Sequence, residues 1–321
     1  QEILELSTGI LHLQERQRIR LFVRKDAFGS FVSCLVFVPR DKFTSALGEK
    51  MKEILLQGFN GIDVEFSTRF SDSSLARISF VVRVEPKKEI FYNQKYLEDK
   101  LVEAGRTWQD DLRDALEEHY GEERGNDLLK RYQNAFPAGY QETFHARVAV
   151  VDVEYFETLS NEHPLAMSLY RPLEEAEEII RFKLFRSGAT IPLSDVVPIL
   201  ENMGLRIISE RPYEINPKNG TGTIWINDYR MIYKKGEYFD IDEIKHFFQE
   251  AFDAIWSGFS ENDGFNHLVL GAKLSWREIM VLRAYAKYLW QAGFTFSQDH
   301  VEDTLTANPQ ISAMLIALFK F

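Results

Sequence analysis

The sequence predicts a protein of the α+β class, with two small antiparallel-sheet modules that are joined and followed by helical segments. Three observations predict this class. Residues 17–86 and 180–258 each contain alternating apolar runs around amphipathic helices, whereas residues 91–170 lose that alternation and become helical in pattern. From Asp263 onward the apolar spacing is again helical. A chain of 321 residues has room for two or three domains, each with its own core.

The first module is predicted over residues 15–90. Two strands flank the turn DAFG, and the second strand is apolar on both faces, as a central strand is. Pro39 ends that strand, and Asp41 is the predicted N-cap of a helix over residues 42–57. A hairpin, a helix and two more antiparallel strands predict an open sheet with helix cover on one face. The two later strands alternate through Ile62, Val64 and Phe66 and through Ile78, Phe80 and Val82.

Residues 91–178 are predicted to form a helical segment. Thr107 and Asp110 have the spacing of a capping box at the start of WQDDLRDALEEHY, although Asp stands where Glu or Gln is usual. A second helix, NDLLKRYQNAF, ends before Pro137, and a third is predicted over residues 146–159. The acidic run LEEAEEII is interpreted as a solvated face or a linker in preference to a metal site.

The second module is predicted over residues 179–258, with elements in the order β-α-β-β-α. Residues 181–186 alternate like a strand, a turn of small residues follows, and Gly204 ends the next helix as a C-terminal glycine does. The turn-rich run NPKNGTG then separates a strand that begins at Leu205 from a strand over 223–234, and an amphipathic helix ends the module. The first helix is expected to bury Leu193, Val196, Val197, Leu200 and Met203.

The turn ahead of that first helix is the stronger of two candidate ligand sites. Small residues at Gly188, Ala189 and Thr190 let a ligand approach the backbone, and the helix N-terminus attracts a carboxylate. Asp195 completes the predicted effector-binding set. The alternative is an ordinary strand-to-helix turn. The second candidate is the polar run FSDSSLAR at 70–77, for which the alternative is a simple hairpin loop.

Residues 259–321 are predicted to form a helical motif. The helix over residues 274–291 is apolar almost all round, and such a helix has to be covered on most sides. We therefore expect it to dock against another part of a longer protein or against another subunit. The predicted interface residues are Trp276, Arg283, Tyr288 and Trp290.

The sequence contains no pattern of an active site or a metal site, so no catalytic residue, metal ligand or cofactor is predicted in this chain. The dinucleotide fingerprint GxGxxG and the phosphate loop GxxxxGK[ST] do not occur, and none of the seven histidines pairs at i, i+4. Cys34, the single cysteine, lies in the apolar run FVSCLVFV and is expected to be a buried structural thiol.

The amino-acid composition limits the possible binding partners and the cellular compartment of the protein. A net charge of −11 argues against binding to nucleic acid. No apolar run is long enough for a membrane helix, and no secretory signal is visible. A single cysteine fits the reducing cytoplasm. The chain begins at Gln1 without methionine and ends in ISAMLIALFKF, an unpaired apolar face, so we expect a piece of a longer protein.

Several segments resemble the large (long-subunit) bacterial NAD-specific glutamate dehydrogenases. The resemblance implies that residues 15–90 form a PAS-like module, and that residues 179–258 form an ACT-like module that lacks or displaces its last strand. It implies that residues 259–321 lead to a catalytic domain that this sequence does not contain. The family's catalytic lysine and nucleotide-binding glycines have no matching positions in it. The matching segments include RIRLFVRKDAFGSFVSCLVFVPRDKF, TWQDDLRDALEEHYGEERG, IPLSDVVPILENMGLRIISERPYEI and ENDGFNHLVLGAKLSWREIMVLRAYAKYLWQAGFTFSQDHVEDTL.

By this resemblance the parent protein uses NAD to deaminate L-glutamate to 2-oxoglutarate and ammonia, and this chain is a regulatory and oligomerisation region without activity of its own. The expected partners are the catalytic domain of the same chain, further copies in a homo-oligomer, and a small amino-acid effector. Two alternatives stay open. One is a purely structural scaffold that binds no ligand, and the other is a stand-alone amino-acid-sensing protein of ACT type.

Overall fold

The protein divides into two compact units, Gln1–Asp111 and Leu112–Phe321, and each is described by itself. Each unit contains one four-stranded antiparallel sheet together with helices, which confirms the predicted α+β class. The computed structural model describes residues 18–26, 28–70, 73–86, 90–172, 174–218, 222–233 and 240–321.

The first module places its strands in the order β1-β2-β4-β3, and all neighbours are antiparallel. Alternate side chains of a strand point to one face of the sheet, and one face of this sheet packs against both helices. The elements are β1 (Arg20–Lys25), β2 (Phe31–Pro39), α1 (Ser45–Gly58), β3 (Asp63–Arg69), β4 (Leu75–Arg83) and α2 (Gln94–Ala104). The core includes Leu21, Val32, Cys34, Val36, Met51, Leu55, Ile78, Phe80, Val82 and Leu101.

The helix α1 begins at Ser45 because Thr44 caps it. The Thr44 hydroxyl accepts a hydrogen bond from the Leu47 amide at 3.1 Å, while the Thr44 backbone is extended. Asp41, the predicted cap, lies earlier, in the turn that follows β2. The prediction of that cap is therefore wrong, although the helix itself was predicted.

Four helices lie in the chain between α2 and β5 (Leu165–Tyr170). The predicted capping box is present at the start of the first one, because the Thr107 hydroxyl accepts from the Asp110 amide at 3.2 Å and the Asp110 carboxylate accepts from the Thr107 amide at 3.0 Å. The shorter side chain of Asp thus serves where Glu or Gln is usual. The helices are α3 (Trp108–Tyr120), α4 (Glu122–Tyr132), α5 (Ala138–Thr143) and α6 (Ala146–Thr158).

The second module repeats the architecture of the first. Its strands lie in the order β5-β6-β8-β7, and again all neighbours are antiparallel. β5 falls in the segment 91–178, for which the sequence predicted helices, and it occupies the sheet position beside β6. A strand that precedes the βαββα unit therefore completes the sheet. The elements are β5 (Leu165–Tyr170), β6 (Ile179–Ser187), α7 (Leu193–Asn202), β7 (Leu205–Ile215), β8 (Ile224–Tyr233) and α8 (Ile241–Trp256).

The helix α7 buries most of its predicted apolar stripe. Val196 and Leu200 are buried, Met203 is buried directly after the helix, and Ile199 joins them. Leu193, however, is exposed. It is the first residue of the helix and precedes the turn that packs into the core, so the prediction of its burial is wrong.

Four further helices follow α8, and they share one core with α7, α8 and one face of the second sheet. Ser275 and Glu278 form a capping box at the start of the longest one. None of the helices in the described ranges combines the length and the apolar character needed to cross a membrane. After a 3-10 turn (Gly264–His267) the helices are α9 (Leu268–Gly271), α10 (Trp276–Gln291), α11 (Gln298–Ala307) and α12 (Pro309–Lys320).

Two glycines with the same positive φ provide a matched test at the two ends of α7. Gly188 and Gly204 both have a φ of +87°. A Cβ at Gly204 would lie 3.2 Å from ring atoms of His267 and Tyr233, whereas a Cβ at Gly188 would meet nothing within 4 Å. We expect Gly188→Ala to lower the free energy of unfolding by about 1 kcal/mol, the cost of the left-handed conformation, and Gly204→Ala to lower it by about 2 kcal/mol or more. Denaturant titration measures both losses, and equal losses would contradict the role of the two rings.

Candidate functional site

The predicted effector turn lies on the surface between β6 and α7. Gly188, Ala189, Thr190 and Asp195 are all exposed. The Gly188 amide donates to the Thr223 carbonyl at 2.8 Å, so the backbone continues the pairing of β6 with β8. The helix α7 begins without a side chain that caps its first amides. An uncapped helix start thus lies beside small, accessible residues.

An α-amino acid carries the two charged groups that this turn could hold. The positive end of the α7 dipole favours a carboxylate. Asp195 lies in the first turn of the helix, and its carboxylate accepts from the Ser194 hydroxyl at 3.1 Å. This negative charge favours an ammonium group instead. The chemistry of the turn is therefore compatible with an amino acid, and binding there stays a prediction.

The second candidate loop, at 70–77, has the features of a hairpin connection between β3 and β4. The Ser73 hydroxyl accepts from the Leu75 amide at 3.2 Å, and β4 begins at that residue. Two positions of the predicted site, Ser71 and Asp72, lie outside the described residues.

A buried ionic cluster lies on the face of the second sheet opposite α7 and α8, and the sequence analysis did not find it. Lys183 of β6 is 1% exposed, and its ammonium donates to the Asp152 carboxylate of α6 at 2.6 Å. The Tyr140 hydroxyl of α5 donates to the same oxygen at 2.6 Å. The ammonium also lies 4.0 Å from the centre of the Phe144 ring, where a cation is attracted to the aromatic face. These four residues are called the Lys183 cluster below.

Four more charged residues form ion pairs that join the same sheet face to the segment before β6. The Arg181 guanidinium donates to the Asp228 carboxylate at 2.5 Å and to the Glu175 carboxylate at 2.6 Å, and Arg230 donates to the other Glu175 oxygen at 2.6 Å. Burial raises the pKa of Asp228, and the charge of Arg181 opposes that rise. The other oxygen of the Asp228 carboxylate, Oδ1, is buried and has no hydrogen-bond partner among the described residues.

The Lys183 cluster attaches the helices α5 and α6 to the second sheet. Burial raises the pKa of Tyr140 well above its usual range, and the nearby Asp152 charge adds to the rise, so the hydroxyl remains a donor at physiological pH. The Asp152 carboxylate then accepts from a helix residue and from a strand residue at once. Because each of its charged groups is engaged, the cluster holds α5 and α6 against the sheet.

Arg283, one of the predicted interface residues, is engaged inside the chain. It is 4% exposed, and its guanidinium donates to both Asp263 oxygens, at 2.7 and 2.8 Å, and to the Asn266 side chain at 3.1 Å. Asp263 also accepts from the Phe265 amide at 3.2 Å and so caps the 3-10 turn. Arg283 therefore fixes the segment after α8 to α10, and its guanidinium faces the chain itself.

The other three predicted interface residues also lie on α10. Trp276 is half-buried, and the Arg277 guanidinium lies 4.4 Å from its ring centre. Tyr288 and Trp290 are 66% and 50% exposed, and the Trp290 indole donates to the Phe296 carbonyl at 2.7 Å. Large aromatic surface thus reaches solvent from the last turns of α10.

An apolar groove of about 450 Å³ lies between α10, α11 and α12 and is called the C-terminal groove. Several of its large side chains are exposed, which is typical of a surface that binds another protein surface. The groove is lined by Val281, Leu282, Tyr285, Ala286, Leu289, Val301, Leu305, Leu315, Ile316, Leu318 and Phe319.

No group of His, Cys, Asp and Glu side chains that could hold a metal ion occurs in the part of the chain that the structure describes.

Four family models match the chain. Residues 20–109 match the model described as glutamate dehydrogenase, ACT2 domain, and residues 164–244 match the ACT3 domain. Residues 115–159 and 260–321 match helical motifs 2 and 3 of glutamate dehydrogenase. The first module, for which the resemblance implied a PAS-like fold, thus matches the model of an ACT domain.

The chain is similar to other proteins along almost its whole length. It is 45% identical over 320 residues to an NAD-specific glutamate dehydrogenase of Halomonas elongata, and the match covers 100% of this chain and 20% of that protein. The corresponding enzyme of Pseudomonas aeruginosa is 41% identical over 99% of the chain, and that of Mycobacterium tuberculosis is 31% identical over 100% of it. The chain spans a fifth of the length of these relatives, since it covers 20% of each.

The Lys183 cluster predicts a large loss of stability when its cation is removed. Lys183→Met leaves the Asp152 carboxylate buried without its counter-charge, so we expect the free energy of unfolding to fall by about 3–5 kcal/mol. Denaturant titration measures this loss. The matched control is Arg147→Gln, which breaks the exposed pair of Arg147 with Glu118 and should cost less than about 0.5 kcal/mol.

A double variant separates the buried charge from the lost packing. Lys183→Met combined with Asp152→Leu should recover part of the loss, because no charge then remains buried. A double variant less stable than Lys183→Met alone would contradict the ionic interpretation of the cluster.

Proposed function

Because this chain belongs to the family of large NAD-specific glutamate dehydrogenases, we propose that it is a regulatory and assembly region of such an enzyme and is not catalytic by itself. The similar proteins are each named NAD-specific glutamate dehydrogenase. We propose that the longer protein converts L-glutamate, NAD and water to 2-oxoglutarate, ammonia and NADH in the cytoplasm. In this proposal NAD binds to a catalytic domain that lies outside the 321 residues of this chain.

The domain models that match the chain support the non-catalytic role. All four matching models are ACT domains or helical motifs, and together they account for most of the chain. Cys34, a potential nucleophile, is buried in the first module, and burial raises its pKa to about 12. A thiol with that pKa is protonated, and therefore unreactive, at physiological pH.

The assembly role rests on the C-terminal groove. A folded protein rarely leaves a contiguous apolar surface of several large side chains to water, and such surfaces mark contact with a partner. A charged pair lies beside the groove, since Lys320, next to the lining residue Phe319, donates to Glu278 of α10 at 2.5 Å. An apolar centre with a polar rim is the usual anatomy of a protein interface. In this proposal the groove contacts the same surface of another copy in a homo-oligomer.

The sensing role rests on the turn at Gly188, Ala189, Thr190 and Asp195. Its exposure, its small residues and the uncapped start of α7 support an amino-acid effector. One observation favours the second candidate function, a scaffold without a ligand. The Gly188 amide, which a ligand carboxylate would need, already donates to the Thr223 carbonyl at 2.8 Å.

Titration with amino acids separates the sensor from the scaffold. We expect the purified chain to give no turnover with glutamate and NAD, and to release heat in calorimetry with at least one common amino acid. Asp195→Asn should weaken that binding by about tenfold, because a charged hydrogen bond to the ligand is lost. Glu201→Gln removes the same charge from the other end of α7 and should leave the affinity unchanged. Measurable turnover would overturn the non-catalytic role. If none of the amino acids gives a heat signal, the result favours the scaffold.

Substitution in the C-terminal groove tests the assembly role. Leu318→Asp places a charge among apolar side chains at the groove, so we expect it to lower the average molar mass of the chain in light scattering at a given concentration. Leu193→Asp, which changes an exposed leucine at the start of α7, should not alter the molar mass. Both variants should keep the thermal midpoint of the wild type. An unchanged molar mass in Leu318→Asp would contradict self-association through the groove.

A further inference from the structure

The face of the first sheet that points away from α1 and α2 has an excess of positive charge, although the whole chain has a net charge of −11. It is called the outer face below. Because side chains alternate along a strand, the four strands place five arginines on this face and two acidic residues, Asp63 and Glu65. A positive surface on an acidic protein favours an acidic partner. The arginines are Arg20, Arg24, Arg69, Arg77 and Arg83.

Two of these arginines have a carboxylate partner. Arg20 donates to Glu98 of α2 at 2.8 Å, and Arg83 of β4 donates to Glu65 of β3 at 3.3 Å. The other three are exposed, and none of them forms an ion pair with a residue that the structure describes. These three are Arg24, Arg69 and Arg77.

Arg69 and Arg77 face each other on the outer face. They are partners in the register between β3 and β4, so their side chains leave the sheet next to each other. Like charges at opposite positions of two strands destabilise a sheet. An anion that binds both guanidinium groups removes this repulsion, and a carboxylate matches the geometry of a guanidinium with paired hydrogen bonds. This pair of arginines therefore suits an acidic side chain of a partner.

Apolar side chains lie beside the two arginines on the same face. Phe37 of β2 is the register partner of Arg77 on its other side, and it forms a small apolar cluster with Leu75. Phe22 and Leu35 are half-buried and pack against that cluster. A partner that binds the arginines thus also meets apolar surface.

The second sheet shows which kind of element covers this face. In both sheets the two central strands pair over nine residues, so equivalent positions follow from the registers. Phe37 is equivalent to Phe185, and Arg77 is equivalent to Ile226. The ring of Tyr155 in α6 stacks on Phe185, with the ring centres 4.9 Å apart. A helix therefore lies over the position that Phe37 has in the first sheet.

The position of Arg69 is also covered by a helix in the second module. Tyr213 of β7 pairs with Ile226 as Arg69 pairs with Arg77, so these two pairs are equivalent. The Tyr213 ring centre lies 5.4 Å from that of Tyr140 in α5. Where the second sheet presents tyrosine and isoleucine to its helices, the first sheet presents two arginines. A helix that covers the first sheet in the same way needs carboxylates at this point.

We propose that the outer face of the first sheet binds an amphipathic helix, whose carboxylates contact Arg69 and Arg77 and whose apolar side chains pack on Phe37. Charge complementarity supports this partner, and so does the covering of the same face by α5 and α6 in the second module. Asp152 of α6 pairs with Lys183 of β6, so a helix on this face can bring a carboxylate to a cation of the sheet. The contact is separate from the C-terminal groove and adds to the assembly role proposed above.

Binding of a designed peptide tests the proposal. The probe is a fluorescein-labelled peptide of leucine, alanine and glutamate that forms an amphipathic helix, and fluorescence anisotropy measures its binding to the full chain at low salt. The chain carries Leu318→Asp, which places a negative charge at the C-terminal groove and so repels the acidic peptide from it. We expect saturable binding of this peptide. The same peptide with lysine in place of glutamate should not bind at these concentrations.

Single neutral variants locate the bound peptide. Arg69→Gln and Arg77→Gln should each raise the dissociation constant of the glutamate peptide about tenfold, because each removes a charged hydrogen bond. The matched control is Arg206→Gln, which removes the same charge from an exposed position of β7 and should leave the constant unchanged. Neither variant on the outer face should lower the thermal midpoint, because the loss of one guanidinium relieves the repulsion between the two.

A charge reversal tests recognition without relying on a loss of binding. Arg69→Glu combined with Arg77→Glu should exchange the preference, so that the chain binds the lysine peptide and no longer binds the glutamate peptide. A purely structural role of the two arginines would not produce this exchange.

The remaining outcomes overturn the proposal. Equal affinity of the glutamate peptide for the wild type and for both neutral variants excludes the site, and equal affinity for the two peptides excludes recognition of charge. If inorganic pyrophosphate binds through the two arginines in calorimetry while the glutamate peptide does not bind, the arginines hold a small anion and no helix. The assembly role of the C-terminal groove is judged separately, by the molar mass of Leu318→Asp.

Discussion

Lys183 has its ammonium group between a sheet and two helices, where an isolated charge would be very unfavourable. The charge is tolerated because α6 brings Asp152 and α5 brings Tyr140 to it. Neither helix can leave the sheet without exposing or unpairing that charge. The helical segment that precedes the second module is therefore part of the module, and the sheet of that module is covered on both faces.

The two modules share one order of elements and one order of strands, yet they present different surfaces. In the second module the face away from α7 and α8 carries Lys183 and Asp228, both buried. In the first module the same face carries Phe31 and Val81, both exposed. A repeated architecture has thus been specialised by the residues on one face of the sheet.

Sequence periodicity predicted most helices and strands, because each of them has an apolar face with its own spacing. It missed β5, a strand whose residues are mostly half-buried and which lacks a clear alternation. It also missed the Lys183 cluster, since Lys183 alternates with Phe182 and Leu184 as a residue facing water does. The helices that cover this lysine lie earlier in the chain, and no local pattern reports them. Arg283 is a similar case, because its acceptors lie on another segment.

The Lys183 cluster also constrains the order in which the unit forms during synthesis. Asp152 and Lys183 are 31 residues apart, and Asp152 leaves the ribosome first. Until β6 follows, α6 carries a carboxylate on the face that it will later bury, so the helix has no stable site to pack against. The second face depends on α8, whose Gln249 reaches back 82 residues to Met167. Vectorial synthesis therefore leaves the sheet incomplete, with one face and one edge open, until α8 has emerged.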